Sequence, residues 1–138
     1  MPRLHVMRSH EHASRTAAQM VADLSARCLS SRGRFTIALS GGSTPQLLYE
    51  LLASPPHLGN IGWDGWGVFW SDERCVPPDH PDSNYRMAKQ ALLDKVPVPA
   101  TNVHRMQGED IPHVAAQDYE ELLKGYFRSP LPSFDLML

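Results

Sequence analysis

The side chains suited to chemistry fall in two short stretches. The first is Ser40-Gly-Gly-Ser-Thr-Pro45, which stands between an apolar run, Phe35 to Leu39, and leucines at 47, 48, 51 and 52. The run is long enough for one buried strand and the leucines repeat at helical spacing, so the stretch reads as strand, tight loop and helix. Pro45 is expected at the first helical position, where its fixed φ suits the helix and its missing N–H is not needed. A helix start points unpaired N–H groups and a partial positive charge into the loop. Gly41 and Gly42 let backbone approach a guest closely, and the hydroxyls of Ser43 and Thr44 add hydrogen bonds. The guest that suits such a loop is a phosphate. A plain strand-to-helix turn with Thr44 as N-cap fits the same letters. A Walker A loop does not, because no Gly-Lys-Ser/Thr follows the glycines, and Gly-x-Gly-x-x-Gly is absent.

The second stretch is Ser71-Asp-Glu-Arg-Cys-Val76, directly behind the apolar run Trp66 to Trp70. In an open parallel sheet, ligands bind in the crevice beyond the carboxyl ends of the strands. If the two runs are neighbouring strands, Asp72, Glu73 and Arg74 approach the crevice of the glycine loop. Arg74 offers a permanently charged planar fork for phosphate oxygens. Asp72 offers a carboxylate for a sugar hydroxyl or for proton transfer, which makes it the catalytic candidate. An ordinary surface loop with an Asp–Arg pair is the other reading. Ser83 is a plausible N-cap for a helix through Lys95, and Asn84 in its first turn lies within reach of the same crevice.

Around these stretches the pattern is that of an α/β chain. Leu4 to Met7 reads as a short first strand. Ala13, Ala17, Met20, Val21, Leu24 and Cys28 mark an amphipathic helix ending near Ser30 to Gly33. Trp63, Trp66 and Trp70 suit core packing better than a stacking platform for sugars. Val103 to Met106 reads as a third strand, and Phe134 to Leu138 as another. Pro112 opens a helix with Ala115, Tyr119, Leu122, Leu123 and Tyr126 on one face. His5, His10 and His12 do not share a helix face as metal ligands do, so solvated or capping roles are expected.

With 138 residues, one domain is the default. The chain is 42% apolar and 20% charged, enough for a core. Its net charge of −2 gives no bulk attraction to nucleic acid or to a membrane surface. No apolar run approaches a membrane span, and the first residues lack the apolar stretch of a signal peptide. Cys28 and Cys75 lack metal or redox spacing, and a reducing, cytoplasmic setting is expected.

Taken together, Ser40-Gly-Gly-Ser-Thr-Pro45, Ser71-Asp-Glu-Arg-Cys-Val76, Asp82-Ser-Asn-Tyr85 and Phe134-Asp-Leu-Met-Leu138, in that order and spacing, resemble the 6-phosphogluconolactonases. The related glucosamine-6-phosphate deaminases carry a similar glycine loop, but the second and third stretches look like the lactonase branch. The resemblance implies a doubly wound α/β fold, a mostly parallel sheet with helices on both faces. It also implies a hydrolase without metal or cofactor that opens 6-phospho-D-glucono-1,5-lactone to 6-phosphogluconate. By the same resemblance Gly41, Gly42, Ser43 and Thr44 form the sugar-phosphate loop, and Asp72 and Arg74 form an acidic and basic pair in the crevice.

Members of that family are considerably longer. After a strand like Phe134 to Leu138 they carry a loop with a histidine that the resemblance implies as the base activating water. Residues 1–138 are therefore expected to be the N-terminal portion of such a domain, with an incomplete sheet, poor lactone hydrolysis and self-association through an exposed sheet edge. A sugar-phosphate deaminase or isomerase, or a non-catalytic sugar-phosphate binder, are the alternative functions.

Overall fold

The computed structural model describes residues 2–138. Strands β1 (Phe35–Leu39) and β2 (Trp66–Trp70) are buried along their whole length. Both are unbroken apolar or small runs, the pattern of parallel strands covered on two faces. They pair in parallel, with Phe35 opposite Trp66 and Leu39 opposite Trp70. A two-residue strand β3 (Leu136–Met137) pairs in parallel with the other edge of β1, so the order is β2-β1-β3. The Asp135 amide donates to Thr36 O and the Leu138 amide to Ala38 O, which extends the ladder on both sides of β3.

Side-chain alternation divides the core. Phe35, Ile37, Leu39, Trp66, Val68 and Trp70 point to one face, against α1 (His10–Arg32), α2 (Ser43–Leu52) and the helix that opens with α4 (Asn84–Ala88). Ala38 and Phe69 point to the other face, against α5 (Pro112–Phe127) through Tyr119, Leu123, Tyr126 and Phe127. The sheet is thus parallel with helices on both faces, as the motifs implied. A single turn, α3 (His57–Asn60), links α2 to the loop before β2. All three tryptophans are core residues, each at most 3% exposed. Trp66 donates from Nε1 to the Ser25 hydroxyl on α1 at 2.8 Å, so its polar handle is satisfied inside the core.

Local signals explain the helix ends. Ser9 caps α1 by accepting from the His12 amide at 3.1 Å, and Gly33 ends it in the left-handed region at φ 69°. Ser83 caps α4 by accepting from the Arg86 amide. Beyond Ala88 the helix widens through Lys89–Leu93, and the Asp94 amide reaches back five residues to Lys89 O.

Four expectations need correction. Residues 4–7 are not a strand: Leu4 and Val6 are 90% and 82% exposed, with no neighbouring strand to pair them. Residues 103–106 form one parallel bridge, Val103 to Val68, rather than a strand. Met20 and Leu122 keep helical spacing but face solvent, because the covered arc of each helix is narrower than its apolar stripe. Pro45 is the third residue of α2, not the first; no N–H of the first turn has an intrahelical partner, so proline is tolerated there too.

Asp135 ties β3 to the rest of the sheet. Its carboxylate accepts from Arg32 at 2.5 Å and from the Thr36 amide and hydroxyl at 2.8 and 3.0 Å. Burial pushes its pKa up, but the Thr36 amide, Arg32 and the Thr36 hydroxyl outweigh burial and hold it below the ordinary 3.8. A depressed folded value means the native state binds fewer protons than the unfolded one. This stabilisation is therefore present above the unfolded pKa and is lost as pH falls through the folded value. Asp135→Asn should cost about 1–2 kcal/mol at pH 7, and its deficit against the parent should close in the acid range. Melting curves from pH 7 to the acid limit of folding test this; a deficit independent of pH refutes it.

Candidate functional site

Leu39 and Trp70 are register partners, so the loops that follow them leave the sheet side by side. Ser71 joins them: its amide and its hydroxyl both donate to Leu39 O at 2.9 Å. Tyr49, one side chain of α2, folds back on the loop. Its hydroxyl donates to Ser40 O at 2.7 Å and accepts from the Ser40 amide at 3.0 Å. Burial pushes the Tyr49 phenol up to about 12, so it stays a donor. Tyr119 of α5 does the same for β2, accepting from the Trp70 amide at 3.0 Å and donating to His104 O at 3.2 Å. The carboxyl ends of both central strands are thereby anchored from opposite faces of the sheet.

Gly42 takes φ 89° and ψ 174°, a region that only glycine enters without strain, and the chain turns there into α2. No side chain caps this helix start. Pro45 has no N–H, so the free donors of the first turn are the Ser43 and Thr44 amides, on residues exposed at the surface. Gly41 serves a different purpose. A Cβ at this position would overlap the side-chain amide of Asn84, whereas one at Gly42 would meet nothing within 4 Å. The close approach that Gly41 permits is to Asn84, not to a guest.

Asn84 is 4% exposed. Its Nδ2 donates to Asp72 O at 3.2 Å and to Asp72 Oδ1 at 3.1 Å. The other Asp72 oxygen has no hydrogen-bond partner among the described residues. Glu73 anchors this arrangement. Its Oε1 accepts from the Arg74 and Asn84 amides at 2.8 and 2.7 Å, and its Oε2 from the Tyr85 amide and the Ser83 hydroxyl at 2.9 and 3.0 Å. An anion at the start of α4 also suits the positive end of that helix. The loop after β2 is thus locked to the start of α4, and α4 presents Asn84 to both Gly41 and Asp72.

The expected site residues therefore separate into groups. Gly41, Asp72 and Asn84 are in one contact network, and Ser43 and Thr44 stand at the adjoining helix start. Arg74 lies elsewhere. It borders a cavity of about 470 Å³ against α5, with Gly108, Tyr119 and Leu123. Its guanidinium has no ion pair among the described residues. The glycine loop borders a second cavity, of about 460 Å³, with Ser40, Gly41, Thr44 and Leu138. The chain runs from β1 to β2 on one side and places β3 on the other, so the crevice between the ends of β1 and β3 is the point where strand order reverses. That is where an open α/β sheet takes its ligand.

Two residues of this region, His10 and Ser14, carry no signal in the sequence that places them here. Glu73, expected at the crevice, has an anchoring role the sequence does not show; its partners at the start of α4 lie 10–12 residues on, across a loop whose path has no local signature. His10 donates from Nε2 to Thr44 O at 3.1 Å, 34 residues away. Ser14 lines the same cavity one turn along α1. Among the described residues no three His, Cys, Asp or Glu side chains gather as metal ligands do. No helix among them is long and apolar enough to cross a membrane.

Residues 8–138 match the family described as glucosamine-6-phosphate isomerases/6-phosphogluconolactonase. The chain belongs to this family. Among its relatives is a protein of Nostoc sp. named 6-phosphogluconolactonase, 48% identical over 114 residues, which are 80% of this chain and 46% of the relative. A probable chloroplastic 6-phosphogluconolactonase 4 of Oryza sativa subsp. indica is 40% identical over 94% of this chain and 43% of its own length. In three dimensions the chain is similar to the 6-phosphogluconolactonase of Trypanosoma cruzi, with a TM-score of 0.86 at 28% identity over 99% of this chain and 57% of that one. The family member described here spans about half the length of the curated relatives it matches.

Proposed function

We propose that this chain is the sugar-phosphate-binding portion of a lactonase that opens 6-phospho-D-glucono-1,5-lactone to 6-phosphogluconate. The observation that carries the reading is the uncapped start of α2 at the crevice where strand order reverses. Thr44, one of the two residues with a free amide there, lines a space of phosphosugar size, and Ser43 adjoins it. The names borne by the relatives select the lactonase branch over the deaminase.

In the reaction, water adds across the bond between C1 and the ring oxygen. A base takes one proton from the water as its oxygen bonds C1. The bond between C1 and the ring oxygen breaks, that proton goes to the ring oxygen, and the new carboxylic acid releases its own proton to solvent. The Ser43 and Thr44 amides hold the phosphate, far from C1, and so orient the ring. Gly42 supplies the turn that aims them. The free oxygen of Asp72 accepts from a sugar hydroxyl or from the attacking water, held in place by Asn84. Gly41 leaves the space that Asn84 fills, and Asn84 in turn orients Asp72. Arg74 borders the cavity beside α5 and adds positive charge to the wider carboxyl end of the sheet without a direct bond to that phosphate. The thiols Cys28 and Cys75 are free, which fits a reducing compartment such as the cytoplasm. The outer edge of β3 has no partner among the described residues, and such an edge favours self-association, which light scattering measures.

Calorimetric titration of the chain with 6-phosphogluconate tests the reading. Asp72→Asn should weaken binding by about 1.5 kcal/mol, the worth of one hydrogen bond to a charged group, and Arg74→Ala, which removes charge but no direct bond, should weaken it less. Affinity unchanged in both variants removes these residues from the site. Lactone opening no faster than the spontaneous rate in a protein of full family length, with ammonia released from glucosamine 6-phosphate instead, moves the chain to the deaminase branch.

A further inference from the structure

Helix α1 forms one wall of the cavity at the crevice. His10, Ala13, Ser14 and Ala17 line it, the spacing of a single helix face. The two alanines leave room, and the His10 ring is engaged with Thr44 O. Ser14 differs from all three. It is 5% exposed, yet its hydroxyl makes no hydrogen bond among the described residues. It does not bond back to the preceding turn, as Thr16 does to His12 O at 2.9 Å. The polar side-chain atoms that are both unpaired and sealed from solvent are Trp70 Nε1 and His104 Nε2; Ser14 Oγ is not one of them. Its open side is therefore the cavity that the residue lines.

The hydroxyl of a residue that is 5% exposed, with no partner among the described residues and opening only on the cavity, is free to bond a polar group that enters there. Ala13, Ala17, Leu48 and Leu138 on this wall are apolar, and the other side-chain hydroxyls lining the cavity are those of Ser40 and Thr44 on the loop side. Thr44, whose amide is one of the two free donors of α2, lines the same space. A phosphate at this helix start leaves most of about 460 Å³ for the body of its ester. A serine hydroxyl both donates and accepts, which matches a sugar hydroxyl, whereas a charged side chain would select an ion.

We infer that Ser14 is a specificity-determining residue: its hydroxyl hydrogen-bonds a hydroxyl of the polyol chain of a phosphorylated sugar acid whose phosphate sits at the start of α2. The inference rests on the phosphate reading of the glycine loop proposed above. A site built to bond a hydroxyl discriminates strongly, because the unmatched ligand leaves a buried polar group unpaired.

The test uses the 138-residue chain labelled with nitrogen-15, titrated separately with 6-phosphogluconate and with inorganic phosphate while the Ser43 and Thr44 amides are followed. Ser14→Ala removes the hydroxyl, adds no bulk and suits a helix; a dispersed amide spectrum checks its fold. Its Kd for 6-phosphogluconate should rise about tenfold, and that for inorganic phosphate should stay within about twofold. If both affinities are unchanged while the two amides shift, the role of Ser14 falls and the phosphate reading stands. If both affinities weaken equally, Ser14 acts on the phosphate or on the fold, and the inference is overturned. If neither ligand shifts the two amides in the parent chain, the phosphate reading fails and takes the inference with it.

Discussion

Glu73→Ala should lower the unfolding free energy of this chain by about 3 kcal/mol, a large share of the stability of a small domain. Four donors converge on this carboxylate: the amides of Arg74, Asn84 and Tyr85 and the hydroxyl of Ser83. Asn84 and Ser83 are 4% and 2% exposed, so water cannot freely replace the lost acceptor. The cost is that of several stranded donors, not of one bond. Glu73→Gln should recover little, because half of its amide presents donors to donors. Urea unfolding gives the number, and amide exchange localises it: protection at Asn84 and Tyr85 should collapse before protection in β1. A loss below about 0.5 kcal/mol, the range of neutral surface changes, would show that Glu73 does not hold this junction.

The second large effect is expected at Gly41. Gly41→Ala drives a methyl group into the Asn84 amide and should cost about 2–3 kcal/mol by overpacking. It should also release Asp72, since the displaced amide is the one bonded to it. Gly42→Ala should cost about 1–3 kcal/mol for another reason, the strained backbone at φ 89° with open space around it. A double-mutant cycle separates the causes. Asn84→Ser makes room beneath Gly41 and should recover part of the Gly41→Ala loss, a coupling of about 1 kcal/mol, with none at Gly42. Equal coupling at both glycines would mean that Asn84 does not fill the space under Gly41.

The difference between the two glycines illustrates what a sequence conceals. Both were read as permitting close approach of a ligand, and as letters they are equivalent. One is needed for its φ and the other for the absence of a Cβ, and only the neighbour brought in by α4 distinguishes them. Arg74 is a similar case. Its place behind a buried strand suggested the glycine-loop crevice, but Gly108 packs against the backbone carbonyls of Arg74 and Val76 and the residue borders the cavity beside α5. Direction of departure from a strand is set by such long-range packing.

By itself the sequence determined the two main strands and the long helices, and it pointed to a phosphate as the guest of the glycine loop. Largely apolar runs over 35–39 and 66–70, each followed by small or charged residues, read as buried strands, which they are. Glycines before a leucine-spaced helix leave backbone N–H groups that suit an anion, and that expectation needs no partner from elsewhere in the chain. The tertiary structure alone decided the order β2-β1-β3, and with it the side of β1 on which the crevice opens. It alone placed α1 with Ser14 and His10 across from that loop, and gave Glu73 its partners. The physical reason is range. A strand or a helix start follows from a few adjacent residues, whereas a crevice is shaped by contacts between segments 10–100 residues apart, such as Asp72 with Asn84 and Thr36 with Asp135. Those contacts exist only once the sheet has chosen its neighbours.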